Sequence, residues 1–440
     1  MSFDRSVKYG CNRRVRFGAL RTVNFGYLEF LLARNSAGEL LEMAGATAQR
    51  QAKGDEGTFV HSVPHCYVRH LCRSLRTDLA FAEATWIFAL TEGRTKMAME
   101  KSVFHGEAMI RDFITAHYDL HPTAIEKLDL GSANCFKISC DGGEFFLKEF
   151  QSKFDMESIK REIQVCDILK STIPTSVFVP NKQGEVVCQE NGHVFHLQTY
   201  IAGTVFRQHS YQPSQLNQEA VMLARIHQGL KNQIVLPDGF PDIWFTSWKK
   251  ERSIQKYKAI CAQNEAKGHA DSSAGQTIAA CQRKIQLLNA YEEVVTKFMR
   301  LSKTNSHGDY NNLQIIFDEH EQISAVIDFS SAAYLPAVWE IIRSYTYSAE
   351  ECLHGDCIDL ESLCRYIDAY LTVGPLTLFD VVHMAEFYYY SLLRSTYGLN
   401  AKEADLVEFG LWRTRLCIYL SEHYKEIGEY MYKNYAGQLA

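Results

Sequence analysis

Ser306–Ala332 reads SHGDYNNLQIIFDEHEQISAVIDFSSA, and the rest of the chain is best read outward from it. His307-Gly308-Asp309 precedes a short apolar run. A polar turn follows, then a second apolar run ending at Asp328. A hairpin folded at Asp318–Glu321 carries the amide of Gln314 and the carboxylate of Asp328 to the same end, with Asp309 on the loop before them. One aspartate placed to accept a proton, beside an amide and a second aspartate able to hold a hard cation, is the minimal equipment for phosphoryl transfer from a nucleotide. The bland alternative is an ordinary loop leading into a hairpin.

The chain contains its own control. A second His-Gly-Asp stands at His354-Gly355-Asp356. It is followed by Leu360, Leu363, Cys364 and Ile367, which have helical spacing, with no strand pair and no closing aspartate. The second copy therefore reads as a loop and helix start.

Upstream, the segment from about His105 has the pattern of a small α+β lobe. Helices are expected over Ala108–His117 and Met156–Leu169. Strands are expected over Leu128–Cys140 and Glu144–Phe150, joined at Asp141-Gly142-Gly143, and over Glu185–Cys188 and His193–Tyr200, joined at Asn191-Gly192. Gly131-Ser132-Ala133-Asn134 would let backbone N–H groups approach phosphates, with Ser132 adding a hydroxyl donor; an ordinary turn reads as well. Lys148 follows Phe145-Phe146-Leu147 on its strand, and Glu162, beside Ile163, is placed to fix its ammonium against phosphate oxygens. Taken singly, each reads as a surface residue; the order, with the hairpin downstream, favours a pair. The run His196–Gly203, containing Gln198 and Tyr200, suits a hinge between lobes whose backbone groups could read an adenine edge, or a plain linker.

From about Phe206 helices dominate, over Leu216–Leu230, Trp248–Ala266, Thr277–Leu301, Leu360–Leu371, Leu378–Tyr397 and Asp405–Tyr435, with a loose loop at Gly268–Gly275. The expected organisation is an N-terminal extension over 1–104, a small nucleotide-binding lobe over 105–205 and a helical catalytic and substrate-binding lobe over 206–440. The first segment has basic residues, poor periodicity and no motif. It reads as a loosely packed extension, even an over-called start, or else a small accessory domain. Ala44–Gly57 reads as a polar loop there, and Leu79–Leu90 as a short buried helix.

Composition sets outer limits. The chain has 440 residues, 46% hydrophobic and 12% aromatic, ample for a folded, pocketed protein. A net charge of −6 gives no sign of a nucleic-acid partner. There are thirteen cysteines and no Cys-x-x-Cys pair, which suggests reduced thiols and a cytoplasmic protein. No apolar run of membrane-spanning length occurs, so no membrane partner is expected.

With these residues in place, the chain resembles the aminoglycoside phosphotransferase/choline kinase family, which shares the protein-kinase-like fold. The family's strand lysine looks like Lys148, its helix glutamate like Glu162, and its Leu-Ala-x-x-His segment like Leu223–His227. Its catalytic loop looks like His307-Gly308-Asp309 and its metal-binding Ile-Asp-Phe like Ile327-Asp328-Phe329. Two positions depart. Gln314 stands where the family usually has asparagine, with Asn311 and Asn312 near enough to share the role, and Glu340 stands where an aspartate is usual.

The resemblance implies a two-lobed α+β fold and an ATP- and Mg²⁺-dependent kinase for a small hydroxylated acceptor. Asp309 would take the hydroxyl proton, Asp328 and Gln314 would hold the metal, and His307 would orient the loop. The alternatives are a nucleotide-binding pseudokinase, for which Gln314 speaks, and a protein kinase proper. The latter would want His-Arg-Asp and Asp-Phe-Gly, whereas Asp328-Phe329 is followed by Ser330. The acceptor is not legible. Glu386 with Tyr388-Tyr389-Tyr390 could suit a cationic amine, but reads first as the core face of a helix.

Overall fold

The computed structural model describes residues 6–8, 14–16, 21–25, 28–34, 40–44, 106–128, 133–150, 155–190, 193–266 and 272–439. The chain divides into two compact units, Met1–Glu83 and Ala84–Ala440. In the first, strands β1 (Ser6–Lys8) and β2 (Arg14–Arg16) pair antiparallel, and β3 (Arg21–Phe25), β4 (Leu28–Arg34) and β5 (Leu40–Ala44) form an antiparallel meander. Sequence periodicity gave no sign of these strands. The loop expected over Ala44–Gly57, apart from its first residue, and the helix expected over Leu79–Leu90 lie outside the described residues.

Among the described residues the second unit opens with helix α1 (Glu107–Tyr118), then β6 (Pro122–Leu128), β7 (Asn134–Cys140), β8 (Gly143–Phe150) and helix α2 (Met156–Leu169). After these come β9 (Phe178–Val179), β10 (Val187–Glu190) and β11 (His193–Thr199). The strands form one antiparallel sheet in the order β10-β11-β8-β7-β6, with β9 on β11. The single strand expected over Leu128–Cys140 is thus two. Leu128 ends β6 opposite Cys135 on β7, and the two strands run antiparallel. The two-residue turn at Asp141-Gly142 closes β7 onto β8, with Cys140 facing Gly143.

Side chains alternate across a strand, so β8 presents Leu147 to one face and Phe146, Lys148 and Phe150 to the other. The Leu147 face joins Phe136, Ile138, Phe195 and Leu197 against Ile110, Phe113 and Ile114 of α1. The opposite face carries Lys148 on a central strand, paired with Cys135 and His196. Helix α2 is capped by Asp155, whose carboxylate accepts from the N–H of Glu157 at 3.1 Å. Its inward row at helical spacing is Ile159, Glu162 and Cys166.

The larger lobe follows a hinge. Gly203 sits at φ +152°, where a Cβ would stand 2.4 Å from the Phe317 carbonyl, so only glycine fits. Beyond it lie helices α3 (Pro213–Leu230), α4 (Lys250–Glu265) and α5 (Ser272–Ala290). The continuous helix expected over Thr277–Leu301 ends at Ala290. Residues 291–294 have no regular secondary structure, and a separate 3₁₀ turn, Val295–Arg300, buries Val295 and Phe298 in the core. Helix α5 also begins at Ser272, inside the stretch expected to be loop.

Strand β12 (Lys303–Ser306) pairs with β15 (Ala333–Pro336), and β13 (Ile315–Phe317) pairs with β14 (Ile323–Val326). Helices α6 (Ala337–Ser348), α7 (Leu360–Leu371), α8 (Leu378–Arg394) and α9 (Ala404–Tyr435) complete the lobe. All twelve residues of α6 are buried, making it the central rod of the helical core. The second His-Gly-Asp lies in a loop before α7, whose N-cap is Asp359. No helix among the described residues is long and apolar enough to cross a membrane.

Candidate active site

A cleft of about 640 Å³ lies between the sheet and the helical lobe, lined by residues of both. Its sheet wall holds Lys148, whose ammonium lies 3.5 Å from Glu162 and 3.4 Å from Asp328. Burial by itself would lower the Lys148 pKa. The attraction of Asp328 and Glu162 outweighs it, and the pKa is raised. Glu162 is 1% exposed and also faces His196, 3.8 Å away and fully buried. Burial pushes the His196 pKa down, so this ring is neutral at physiological pH.

The floor of the cleft is the hairpin read from sequence. The N–H of Ile327 donates to the Gln314 carbonyl at 2.9 Å, which brings Gln314 and Asp328 to one end, as the strand register requires. Asp328 is left-handed (φ 62°, ψ 57°), an unfavourable conformation for a residue with a Cβ. Its Oδ1 accepts from the Ser330 hydroxyl at 2.9 Å as well as from Lys148. The Gln314 side chain is 8% exposed, lines the cleft and makes no hydrogen bond to a described residue. Asn311 and Asn312 are otherwise employed: the Asn311 amide donates to the Asp309 carbonyl at 2.6 Å, and that of Asn312 to Phe206 at 2.9 Å.

The loop carrying Asp309 is held from several sides. Gly308 sits at φ +81°, where a Cβ would stand 1.9 Å from the Ser331 carbonyl, so the loop can pack against Ser331 only without a side chain there. The N–H of Asp309 donates to Nδ1 of His307 at 3.3 Å. Nε2 must then carry the proton it donates to the Ile327 carbonyl at 2.9 Å. His307 thus orients the loop, as the sequence suggested.

Glu340, fully buried, accepts from the N–H of Tyr310 at 3.0 Å and from the Ser306 hydroxyl. Burial would raise its pKa, but hydrogen bonding to His227 and the nearby His307 hold it down at about 2. His227, at the end of the Leu223–His227 segment, also meets Ser306 at 2.6 Å and Tyr370 at 2.7 Å.

Sequence reasoning missed Arg343 and Arg413. Arg343, on α6, donates to Oδ1 of Asp309 and at 3.1 Å to the Tyr310 carbonyl. Oδ2 of Asp309 makes no hydrogen bond to a described residue. Burial would lower the Arg343 pKa, but the neighbouring Tyr347 and Asp309 raise it. Its guanidinium lies 4.6 Å from the Tyr347 ring centre and 5.4 Å from that of Trp339. Neither arginine carries a local signal: α6 is buried all round, so no apolar stripe marks which residue faces a cleft.

Of the other expected site residues, Gln198 and Tyr200 line the cleft, and the Tyr200 ring lies 4.4 Å below the Lys137 ammonium. Ser132 lies outside the described residues. Glu386 is not in this cleft: it pairs with Lys297 at 2.5 Å in a separate groove, and Tyr388, Tyr389 and Tyr390 are core residues.

Asp328 and the free amide oxygen of Gln314 are hard oxygen donors at one end of the cleft. That set fits Mg²⁺, which takes few protein ligands when phosphates supply the rest. Among the described residues no cluster of three or more His, Cys, Asp or Glu offers an all-protein metal cage.

The cleft thus brings the Lys148–Glu162 pair together with two aspartates, Asp309 after β12 and Asp328 after β14. The family model of the phosphotransferase enzyme family matches residues 125–358, more than half the chain, and the protein belongs to that family. No curated protein sequence matches the chain. Among solved structures it is similar to a microcompartment-associated aminopropanol kinase, at 14% identity over 73% of this chain and 99% of that one, with a TM-score of 0.49. An ethanolamine kinase of Plasmodium vivax matches at 16% identity over 74% and 93%, TM-score 0.47. A spectinomycin phosphotransferase in complex with ADP and spectinomycin matches at 10% over 74% and 99%, TM-score 0.45. The fold is protein-kinase-like, and the enzyme is a small-molecule phosphotransferase.

Proposed function

We propose that this phosphotransferase moves the γ-phosphoryl group of ATP to a hydroxyl of a small metabolite. The observation that carries the reading is the position of Lys148, within 3.5 Å of both Glu162 and Asp328, across a cleft that also holds Asp309. Glu162 restrains the ammonium from the side away from the nucleotide, and Lys148 neutralises phosphate oxygens. The acceptor oxygen attacks the γ-phosphorus, the bond to the β–γ bridging oxygen breaks and ADP leaves. The acceptor proton passes to Oδ2 of Asp309, the oxygen that Arg343 leaves unengaged. Mg²⁺, held through Asp328 and Gln314, would neutralise the triphosphate and its leaving charge. Ser132 is assigned to the phosphates, and Gln198 and Tyr200, by their place on the hinge, to the adenine end. Rate enhancement then comes chiefly from positioning and charge stabilisation. Use of ATP and described cysteines that form no disulfide with one another fit a cytoplasmic enzyme.

The test is ATP consumption by the full chain with Mg²⁺ across amino alcohols, sugars, hydroxy acids and aminoglycosides. Acceptor-dependent ADP release with a matching phosphorylated product is expected. Tight ATP binding with no transfer to any class would favour a nucleotide-binding regulator instead.

A further inference from the structure

The cleft is charged asymmetrically. At the nucleotide end its ionised lining groups are Lys148, Glu162 and Asp328, which sum to one net negative charge and suit a metal–nucleotide complex. At the other end they are Asp309, Arg343 and Arg413, which sum to one net positive charge. That end is walled by Tyr347, Tyr397 and Phe409, with Phe409 meeting Tyr347 and Tyr397 edge-on at 5.3 and 5.9 Å.

Aromatic walls by themselves would suit a cationic ligand. Here the protein's own cations already lie over them. Arg343 sits over the Tyr347 ring, and Arg413 lies 5.4 Å from the centre of Tyr397. Tyr397 is within electrostatic reach of Asp309, Arg343 and Arg413 together, so the groups form one cluster. The hydroxyl of Tyr347, a residue only 2% exposed that lines this end, is a buried polar group with no hydrogen-bond partner among the described residues. A buried donor of this kind is costly unless a ligand or water completes it.

Resting on the phosphotransfer reading above, we propose that the acceptor is a hydroxylated compound carrying an anionic group, a carboxylate or a phosphate, bound by Arg413 and the Tyr347 hydroxyl while its own hydroxyl faces Asp309. A guanidinium fork and a phenol donor are complementary to either oxyanion. An ammonium-bearing acceptor would meet net positive charge at this end. The transfer itself is unchanged: the hydroxyl proton goes to Asp309, and the new bond joins the acceptor oxygen to the γ-phosphorus as ADP departs.

The test uses the full chain with Mg²⁺ and ATP, and matched acceptors: short hydroxy acids, their methyl esters and amides, the corresponding amino alcohols, and sugars with and without a phosphate. Binding to the chain loaded with a non-hydrolysable ATP analogue is measured alongside turnover. Anionic members should bind and be phosphorylated, with their neutral partners at least about tenfold poorer. The carboxylate and sugar-phosphate arms tell the two sources apart. Arg413→Gln should raise KM for the anionic acceptor about tenfold or more while leaving KM for ATP in place. Tyr347→Phe, a smaller change to the fold, should raise the same KM about threefold or more.

Preference for amines or neutral alcohols overturns the proposal, as does a chain that binds ATP but no anionic member. An Arg413→Gln variant whose KM rises for ATP alone overturns it too, because the guanidinium then serves the triphosphate. Failure of ATP itself to bind sinks the phosphotransfer reading and this inference with it.

Discussion

The ammonium of Lys148, on a central strand of the small lobe, lies 3.4 Å from Oδ1 of Asp328, 180 residues further along the chain on the large lobe. With Glu162 on its other flank, this cation joins the two walls of the cleft. An arriving nucleotide with its metal competes for both partners, so removing either should be felt in nucleotide binding first. Lys148→Met should weaken ATP binding by about tenfold or more and cut turnover further, because the lost charge is needed most as charge moves onto ADP. Isothermal titration with ATP and steady-state rates measure the two effects separately. Equal ATP affinity in variant and parent would contradict the assignment.

Glu162→Gln removes the fully buried partner while keeping its shape. Breaking a buried ion pair costs about 3 kcal/mol or more, since the remaining charge is left without its counter-ion. Asp328 still faces Lys148, which should hold the loss toward the lower end of that range. Thermal unfolding and kcat/KM should fall together.

Glu340 ties the Asp309 loop to β12, and its carboxyl sits at about 2 against an ordinary 4.5. A folded-state pKa below the unfolded one means stability that is fully present above about pH 4.5 and lost as pH falls toward 2. The displacement corresponds to about 3 kcal/mol, an order-of-magnitude figure. Glu340→Gln should therefore lower stability at neutral pH and flatten its acid dependence in that window, as read by urea unfolding at several pH values. It should also depress kcat more than the KM for ATP, because Glu340 acts on the loop and touches no reacting atom.

Gln314→Ala removes an amide that makes no hydrogen bond to a described residue, so folding stability should hardly change. The Mg²⁺ concentration for half-maximal activity should rise about tenfold, in line with the loss of one weak oxygen ligand. An unchanged Mg²⁺ dependence would show that the metal is held without it.

The hairpin carrying Gln314 and Asp328 was legible because its information is local. A strand period of two and a polar turn fix which residues reach one end, and the structure places Gln314 and Asp328 there. Helix α2 was legible to the residue, from its apolar row. The Lys148–Glu162 pair was legible only through its order in the chain with the hairpin downstream.

What escaped had no local signature. Leu128–Cys140 looked continuous because apolar residues flank Gly131 on both sides, whereas β6 ends at Leu128 and β7 begins at Asn134. The long helix expected over Thr277–Leu301 breaks after Ala290 because Val295 and Phe298 are taken into the core by a separate turn, a tertiary demand that composition does not announce. Arg343 and Arg413 lie 34 and 104 residues beyond Asp309 on helices whose packing is not one-sided, so only the fold brings them to the cleft.

The central claim is that Asp309 receives the acceptor proton, and single-turnover phosphate transfer by Asp309→Asn tests it most directly. The account predicts transfer slowed by about 10²- to 10⁴-fold with ATP affinity retained, since an amide cannot act as the base. Transfer within about threefold of the parent rate, with ATP bound equally well, would contradict it.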